Sequence, residues 1–132
     1  MDVCRGNWTR DEHAALAGDY RPLLATLRAL DVGTLFLELC TPRAGELDVL
    51  RDLPADCRIG VGIVNQKQDQ VETVDDIVVR ARRAIELFGA DRVLLTPDCG
   101  FATFADNPIT AAPVAEEKLR AIVGAAEVLR RG

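Results

Sequence analysis

Short apolar runs alternate along the chain with longer stretches in which apolar residues recur at helical spacing. The runs are too short for helices and predict strands that are buried on both faces. The strands are predicted at residues 2–4, 34–39, 58–64 and 93–96. Gly60 and Gly62 fall on one face of the third of these strands, which indicates that another backbone or a ligand comes close there.

The stretches with helical spacing predict helices between and after the strands. They are predicted over residues 20–30, 47–53, 74–88 and 110–130, with a short turn over 10–16. Thr73 is expected to cap the start of the third of these helices, and Gly89 to end it. In the last helix the residues predicted to face inward are Leu119, Ile122, Val123, Ala126 and Leu129. Strict alternation of strand and helix predicts an α/β fold with a parallel sheet.

The length of the chain limits how much of a closed barrel it can form. Its 132 residues predict a single domain over residues 1–132 with about four βα units. A complete (β/α)8 barrel needs about 250 residues, so the chain corresponds to roughly half of one. Such a partial barrel would leave edge strands at 2–4 and 93–96 with unpaired backbone groups. We therefore expect a homodimer, or closure with a separate half-barrel chain.

Composition narrows the function classes. With 48% hydrophobic and 28% charged residues the chain is typical of a globular domain. A net charge of −5 and an aromatic content of 5% argue against nucleic-acid binding. No apolar run approaches the roughly 18 residues needed to span a membrane, and no secretory signal begins the sequence, so we expect a cytoplasmic protein. The four cysteines are then expected to be reduced thiols or metal ligands.

Three of the predicted strands carry a metal-binding side chain close to where they end. These side chains are Cys4, Glu38 and Cys99. The carboxyl ends of parallel strands meet at one edge of a sheet, and zinc prefers thiolate, imidazole and carboxylate ligands. A second interpretation stays open at this point, in which the two cysteines are small buried apolar residues and Glu38 is an ordinary strand-end acid.

Five short motifs resemble, in the same order, the C-terminal half of the cobalamin-independent methionine synthase catalytic domain. They are Cys4-Arg5-Gly6-Asn7, Leu37-Glu38, Thr41-Pro42-Arg43-Ala44-Gly45, Gly60-Val61-Gly62 and Thr96-Pro97-Asp98-Cys99-Gly100. The resemblance covers nearly the whole chain and implies a (β/α)8 barrel with a catalytic zinc ion held by Cys4, Glu38 and Cys99. It also implies methyl transfer from a methyltetrahydrofolate to the thiol of homocysteine, which zinc deprotonates.

Two positions depart from the motifs of that family. Asp2 stands where the family has a histidine ligand, and an aspartate can bind zinc, although it is a harder ligand. Lys67 lies in the loop after the third strand, where the family has a catalytic histidine. It is interpreted as a solvated loop lysine; the alternative is that it donates a proton or contacts an anionic substrate. His13 is expected at the surface, and Cys40 and Cys57 are not expected to bind metal.

Two hypotheses of different class follow. In the first, the chain is a zinc-dependent transferase that alkylates a thiol, with homocysteine as the default acceptor and another thiol, such as coenzyme M, as the alternative. In the second, it is a truncated, non-catalytic fragment, or one chain of a two-chain barrel whose N-terminal half is another polypeptide. In that family the other half of the barrel holds the folate and the amino-acid group of homocysteine.

Overall fold

Four parallel strands form the sheet around which the protein is built. The computed structural model describes residues 1–6, 9–41 and 47–132, and only the backbone of Glu12. The strands are β1 (Asp2–Val3), β2 (Thr34–Leu37), β3 (Arg58–Val64) and β4 (Val93–Pro97). They are ordered β1-β2-β3-β4, and each neighbouring pair is parallel. The predicted α/β class with a parallel sheet is confirmed, whereas Asn7 and residues 42–45 of the sequence motifs lie outside the described residues.

Three α-helices accompany this sheet in the described part of the chain. They are α1 (Leu24–Ala29), α2 (Val74–Phe88) and α3 (Ala112–Arg131). Single 3-10 turns lie at Glu12–Ala14, Arg21–Leu23, Leu47–Leu50 and Ala90–Arg92. The predicted cap of α2 is confirmed, because the Thr73 hydroxyl accepts a hydrogen bond from the Asp76 N–H at 3.1 Å. None of these described helices is long and apolar enough to cross a membrane.

The connection between β4 and α3 differs from the prediction. The sequence predicts a loop there, but the structure contains a small antiparallel hairpin of β5 (Ala102–Phe104) and β6 (Asn107–Pro108). The first helix is also shorter than predicted, because its first turn is a 3-10 turn that contains Pro22. Both differences concern short local elements and leave the order of the strands unchanged.

The two faces of the sheet have different roles. One face packs against the helices through a core to which Leu35, Ile59 and Phe88 belong. On the other face Phe36 of β2 pairs in register with Gly60 of β3. A Cβ atom at Gly60 would lie 2.3 Å from Phe36 Cδ1, so the Phe36 ring occupies the space that a side chain would fill. The close approach predicted for these glycines is therefore confirmed.

The buried face of α3 is rotated from the predicted one. Leu119 and Val123 were predicted to face inward, but they are 45% and 57% exposed. Lys118 is buried instead, and its ammonium donates hydrogen bonds to Gln70 O and, at 2.7 Å, to Glu72 Oε2. Ile122 is buried and Leu129 packs against the core, as predicted. The apolar stripe therefore predicted part of the buried face and missed Lys118, whose partners lie in a segment far away in sequence.

The outer edge of β4 remains accessible. Within the described residues β4 pairs only with β3, so its second edge has no partner strand. Beside it lies a groove of about 600 Å³ lined by residues from α2, β4 and α3. Its apolar members include Ile85, Leu94, Leu95, Val123, Ala126 and Leu129. The sheet therefore presents an open edge next to an apolar surface.

Candidate metal centre

The sheet brings three potential metal ligands together at its carboxyl edge. Cys4 directly follows β1, Glu38 directly follows β2, and Cys99 lies two residues beyond β4. The two thiols and a carboxylate oxygen of Glu38 all lie within 4.8 Å of one another. Glu38 is buried, Cys99 is half-buried and Cys4 is exposed, so the cluster opens to solvent on one side.

The geometry and the donor types of this cluster fit zinc. The Sγ atoms of Cys4 and Cys99 are 3.9 Å apart. Two sulfur ligands at about 2.3 Å from a tetrahedral zinc ion would lie roughly 3.8 Å from each other. Two sulfurs and one carboxylate also leave a fourth position, which is the arrangement of catalytic rather than structural zinc sites.

Glu38 is held in place by two neighbouring residues. Its side chain is 1% exposed, and its Oε1 accepts a hydrogen bond from the backbone N–H of Arg5 at 3.1 Å. The Arg5 Nε lies 3.9 Å from the other carboxylate oxygen. The Tyr20 hydroxyl donates to the backbone carbonyl of Glu38 at 3.0 Å. Both the carboxylate and the backbone of this ligand are therefore fixed.

Asp98 connects the loop of Cys99 to the loop of Glu38. Its Oδ1 accepts hydrogen bonds from the backbone N–H groups of Leu39 at 2.7 Å and Cys40 at 3.0 Å. The intervening strand β3 presents Gly62 here, where a Cβ would lie 2.4 Å from Asp98 Oδ1. Burial raises the pKa of Asp98, and the hydrogen bonds from the two N–H groups oppose that rise. Asp98 thus fixes the relative positions of two of the three ligands.

The environment of the Cys99 thiol disfavours its ionised form. Burial, with the neighbouring Cys4 sulfur as the next contribution, raises the pKa of Cys99 to about 12. A divalent cation reverses this preference, because a coordinated thiol loses its proton. The Cys99 sulfur therefore suits a bound cation better than it suits a free thiolate.

A cleft of about 270 Å³ lies beside Cys99 on the face of the sheet opposite the helical core. Its wall includes Phe36, Thr96, Phe101 and the carboxylate-bearing Asp2. Asp2 of β1 pairs in register with Phe36 of β2, and both residues line the cleft. Of the three cluster residues, Cys99 is the one that lines this cleft.

The remaining predicted residues fall in different places. Asp2 is exposed and is not one of the three clustered ligands. The interpretation of Lys67 as a solvated loop lysine is wrong: it is 4% exposed, and its Nζ lies 3.5 Å from Asp11 O. His13 is exposed, as predicted. Cys57 lies before the start of β3, at the edge opposite the site.

Cys40 lies near the cluster but outside it. Its backbone N–H donates to Asp98 Oδ1, and burial is the main cause that raises the pKa of its thiol. Sequence reasoning assigned no role to Arg5, Tyr20 or Asp98, which support the ligands. The signals available were the adjacency of Arg5 to Cys4 and of Asp98 to Cys99, but neither indicates burial.

A family model and several known proteins each match most of this chain. The family model described as "Cobalamin-independent synthase, Catalytic domain" matches residues 13–127. YxjH of Bacillus subtilis (strain 168) is 32% identical over 125 residues, which are 93% of this chain and 33% of that protein. The 2-hydroxypropyl-CoM lyase of Xanthobacter autotrophicus (strain Py2) is 32% identical over 106 residues, or 76% of this chain and 26% of the lyase. The chain thus spans about a quarter to a third of these relatives.

A solved structure shares the fold. It is the B12-independent methionine synthase from Shewanella sp. W3-18-1 in complex with selenomethionine, with a TM-score of 0.79 and 20% identity. The match covers 98% of this chain and 38% of that protein. At this identity the likeness supports the arrangement of strands and helices alone.

We predict that Gly62→Ala disrupts the ligand loops. The added methyl would lie 2.4 Å from Asp98 Oδ1 and 2.8 Å from Leu37 O, and the backbone oxygen cannot move away easily. We expect the free energy of unfolding to fall by about 1–3 kcal/mol, as for other overpacked sites. Denaturant titration followed by circular dichroism measures this change.

Gly33→Ala is the matched control, because no atom lies within 4 Å of a Cβ at that position. Its free energy of unfolding should change by less than about 0.5 kcal/mol. Equal stability of the two variants would contradict the tight packing of Asp98 against β3.

Proposed function

This chain belongs to the family of cobalamin-independent synthase catalytic domains, and we propose that it carries the zinc centre of an S-methyltransferase of the methionine synthase type. The observation that supports this most is the clustering of Cys4, Glu38 and Cys99 at three strand ends. In the proposed site these three residues hold the ion, and Asp2 or water is the fourth ligand.

Zinc would supply charge that stabilises a substrate thiol in its thiolate form near neutral pH. The residues of the chain position this chemistry: Glu38 is fixed by Arg5, and Cys99 by the Asp98 hydrogen bonds. In the overall reaction the substrate sulfur bonds to the methyl carbon while the bond from that carbon to the donor nitrogen breaks. The thiol loses its proton, and the donor nitrogen gains one.

The cleft beside Cys99 is the proposed route of the acceptor thiol to the cluster. Lys67 is proposed to donate the proton to the leaving nitrogen or to contact an anionic substrate. It belongs to the segment after β3, and its burial favours a defined position over a solvated one. Glu72 supports the same segment, since its Oε1 accepts a hydrogen bond from the Asn65 N–H at 2.8 Å.

A second acceptor class is supported by one relative. The Xanthobacter protein is named 2-hydroxypropyl-CoM lyase, and it is 32% identical to this chain. A small thiol other than homocysteine, such as coenzyme M, is therefore the alternative acceptor. The same three residues would hold the zinc ion with either acceptor. The choice between homocysteine and another thiol would therefore depend on residues outside the cluster.

We further propose that two copies of this chain close one barrel. Both β1 and β4 have an unpaired edge within the described residues, and all four strands are parallel. Under a two-fold rotation about the barrel axis, β4 of each copy would therefore meet β1 of the other with parallel orientation. This gives eight strands, the number in a (β/α)8 barrel. It would also cover the apolar groove beside β4.

The zinc proposal predicts one zinc ion per chain. After chelator treatment and reconstitution, elemental analysis should find zinc in the unaltered protein and little in Cys99→Ser. Loss of supporting partners of a metal ligand typically costs 10- to 100-fold in affinity, and we expect loss of a direct ligand to weaken binding by at least about 100-fold.

Cys57→Ser is the control for this measurement, because Cys57 is a buried thiol at the opposite edge of the sheet. Its zinc content should equal that of the unaltered protein. A large loss of zinc in Cys57→Ser, or equal zinc in Cys99→Ser, would contradict the proposed site.

Asp2→His should strengthen zinc binding if position 2 supplies the fourth ligand. An imidazole is a better zinc ligand than a carboxylate, and Asp2 occupies the position two residues before Cys4. Competition with a chromophoric chelator measures the affinity. His13→Ala is the control: it should leave the zinc affinity unchanged, both in the otherwise unaltered protein and in the Asp2→His variant. No gain in Asp2→His would argue that water is the fourth ligand.

The closure proposal predicts a dimer for the chain on its own. Sedimentation velocity should show twice the mass of one chain, and Val123→Glu should shift the protein toward monomer because Val123 lines the groove. Val79→Glu is the control, since Val79 is exposed on α2 and is not part of the groove lining. A monodisperse, cooperatively unfolding monomer would show that the open edge needs no second copy.

A further inference from the structure

A buried arginine lies directly behind the carboxylate of the metal cluster. Arg5 is 7% exposed, and its Nη1 donates a hydrogen bond to Gly18 O. Its Nε is 3.9 Å from Glu38 Oε2, while its own backbone N–H donates to Glu38 Oε1. Nε and Nη2 make no hydrogen bond among the described residues. The cation is therefore out of water without a full set of acceptors, and the Glu38 carboxylate is its ion-pair partner.

Tyr20 completes the surroundings of this cation. The Arg5 guanidinium carbon lies 4.6 Å from the centre of the Tyr20 ring, a distance at which the ring face attracts a cation. The Tyr20 hydroxyl donates to the backbone carbonyl of Glu38. Arg5 and Tyr20 therefore contact each other and the same ligand residue, one through its carboxylate and one through its backbone.

The Arg5 guanidinium can also balance the charge of the cluster when a metal ion is bound. Two thiolates and one carboxylate carry three negative charges, of which a zinc ion offsets two. The guanidinium beside Glu38 offsets the third, and it cannot lose its proton. Outer partners of this type orient metal ligands and change the affinity of the site.

We propose that Arg5 is a positioning residue that aims the Glu38 carboxylate at the metal and neutralises the net charge of the occupied cluster, with Tyr20 as its platform. This inference rests on the zinc site of the proposed function. In this proposal Arg5 influences the zinc affinity and the geometry of the ligands although it does not contact the metal itself. A lysine would preserve the charge but not the planar stacking on Tyr20 or the fixed direction of the donors.

The test compares Arg5→Met and Arg5→Lys with the unaltered protein. Zinc affinity is measured by competition with a chromophoric chelator, and the ligand geometry by the visible spectrum after loading with cobalt(II). Arg5→Met should weaken zinc binding by about 10- to 100-fold. It should also shift the ligand-field bands of cobalt, while the sulfur-to-cobalt charge-transfer band persists because both thiols remain. Arg5→Lys should recover part of the affinity.

Arg120→Met is the matched control, because this exposed arginine pairs with Glu116 on α3, far along the chain from the cluster. It should bind zinc and cobalt as the unaltered protein does. Circular dichroism verifies the folding of each variant. If Arg5→Met does not fold, Arg5→Lys takes its place, since it keeps the charge but loses the planar donors and the stacking on Tyr20. A smaller loss of affinity with a shift of the same cobalt bands is then expected.

The outcomes separate this inference from the proposed function. Zinc binding that is as tight in Arg5→Met, or in Arg5→Lys where that variant replaces it, with an unchanged cobalt spectrum, would overturn the role of Arg5 and leave the zinc site intact. Absence of zinc binding from the unaltered protein would overturn both. Weaker binding with partial rescue by lysine supports the positioning role, because a loss of general stability would not alter the ligand field of cobalt in a folded protein.

Discussion

The hydrogen bonds from the Leu39 and Cys40 backbone to the Asp98 carboxylate are the constraint on which the candidate site depends. They join the ends of β2 and β4 across β3, and they can form only because Gly62 has no side chain there. Asp98 precedes Cys99, and Leu39 follows Glu38. One buried carboxylate therefore sets the distance between a candidate thiol ligand and a candidate carboxylate ligand. The third candidate ligand, Cys4, is held by the backbone pairing of β1 with β2.

The ligand cluster was predictable because it follows from topology. Parallel strands place their carboxyl ends at one edge, so a short apolar run followed by Cys or Glu locates each ligand without knowledge of side-chain contacts. The glycines of β3 were predictable for the same reason, since alternate residues of a strand share a face. The order of the motifs along the chain then selected a metal site over the alternative of two small buried thiols and an ordinary acid.

The buried cations were not predictable from local pattern. Lys118 and Lys67 are both buried: the ammonium of Lys118 pairs with Glu72, and that of Lys67 lies 3.5 Å from the Asp11 carbonyl oxygen. Arg5 likewise depends on Gly18 and Tyr20. A charged residue in an apolar stretch is normally assigned to solvent, because burying it without a partner is costly. The partner in each case comes from another segment, and sequence periodicity carries no information about that pairing.

The separation of the contacting residues along the chain links the site to the way the protein folds. The two sulfurs that approach to 3.9 Å are 95 residues apart, and Leu39 is 59 residues from Asp98. Contacts of such long range form late, because the entropy of closing large loops must be overcome before they contribute. A ligand that engages both sulfurs therefore binds only after β1 and β4 have joined the same sheet, and it stabilises the complete fold rather than any one segment.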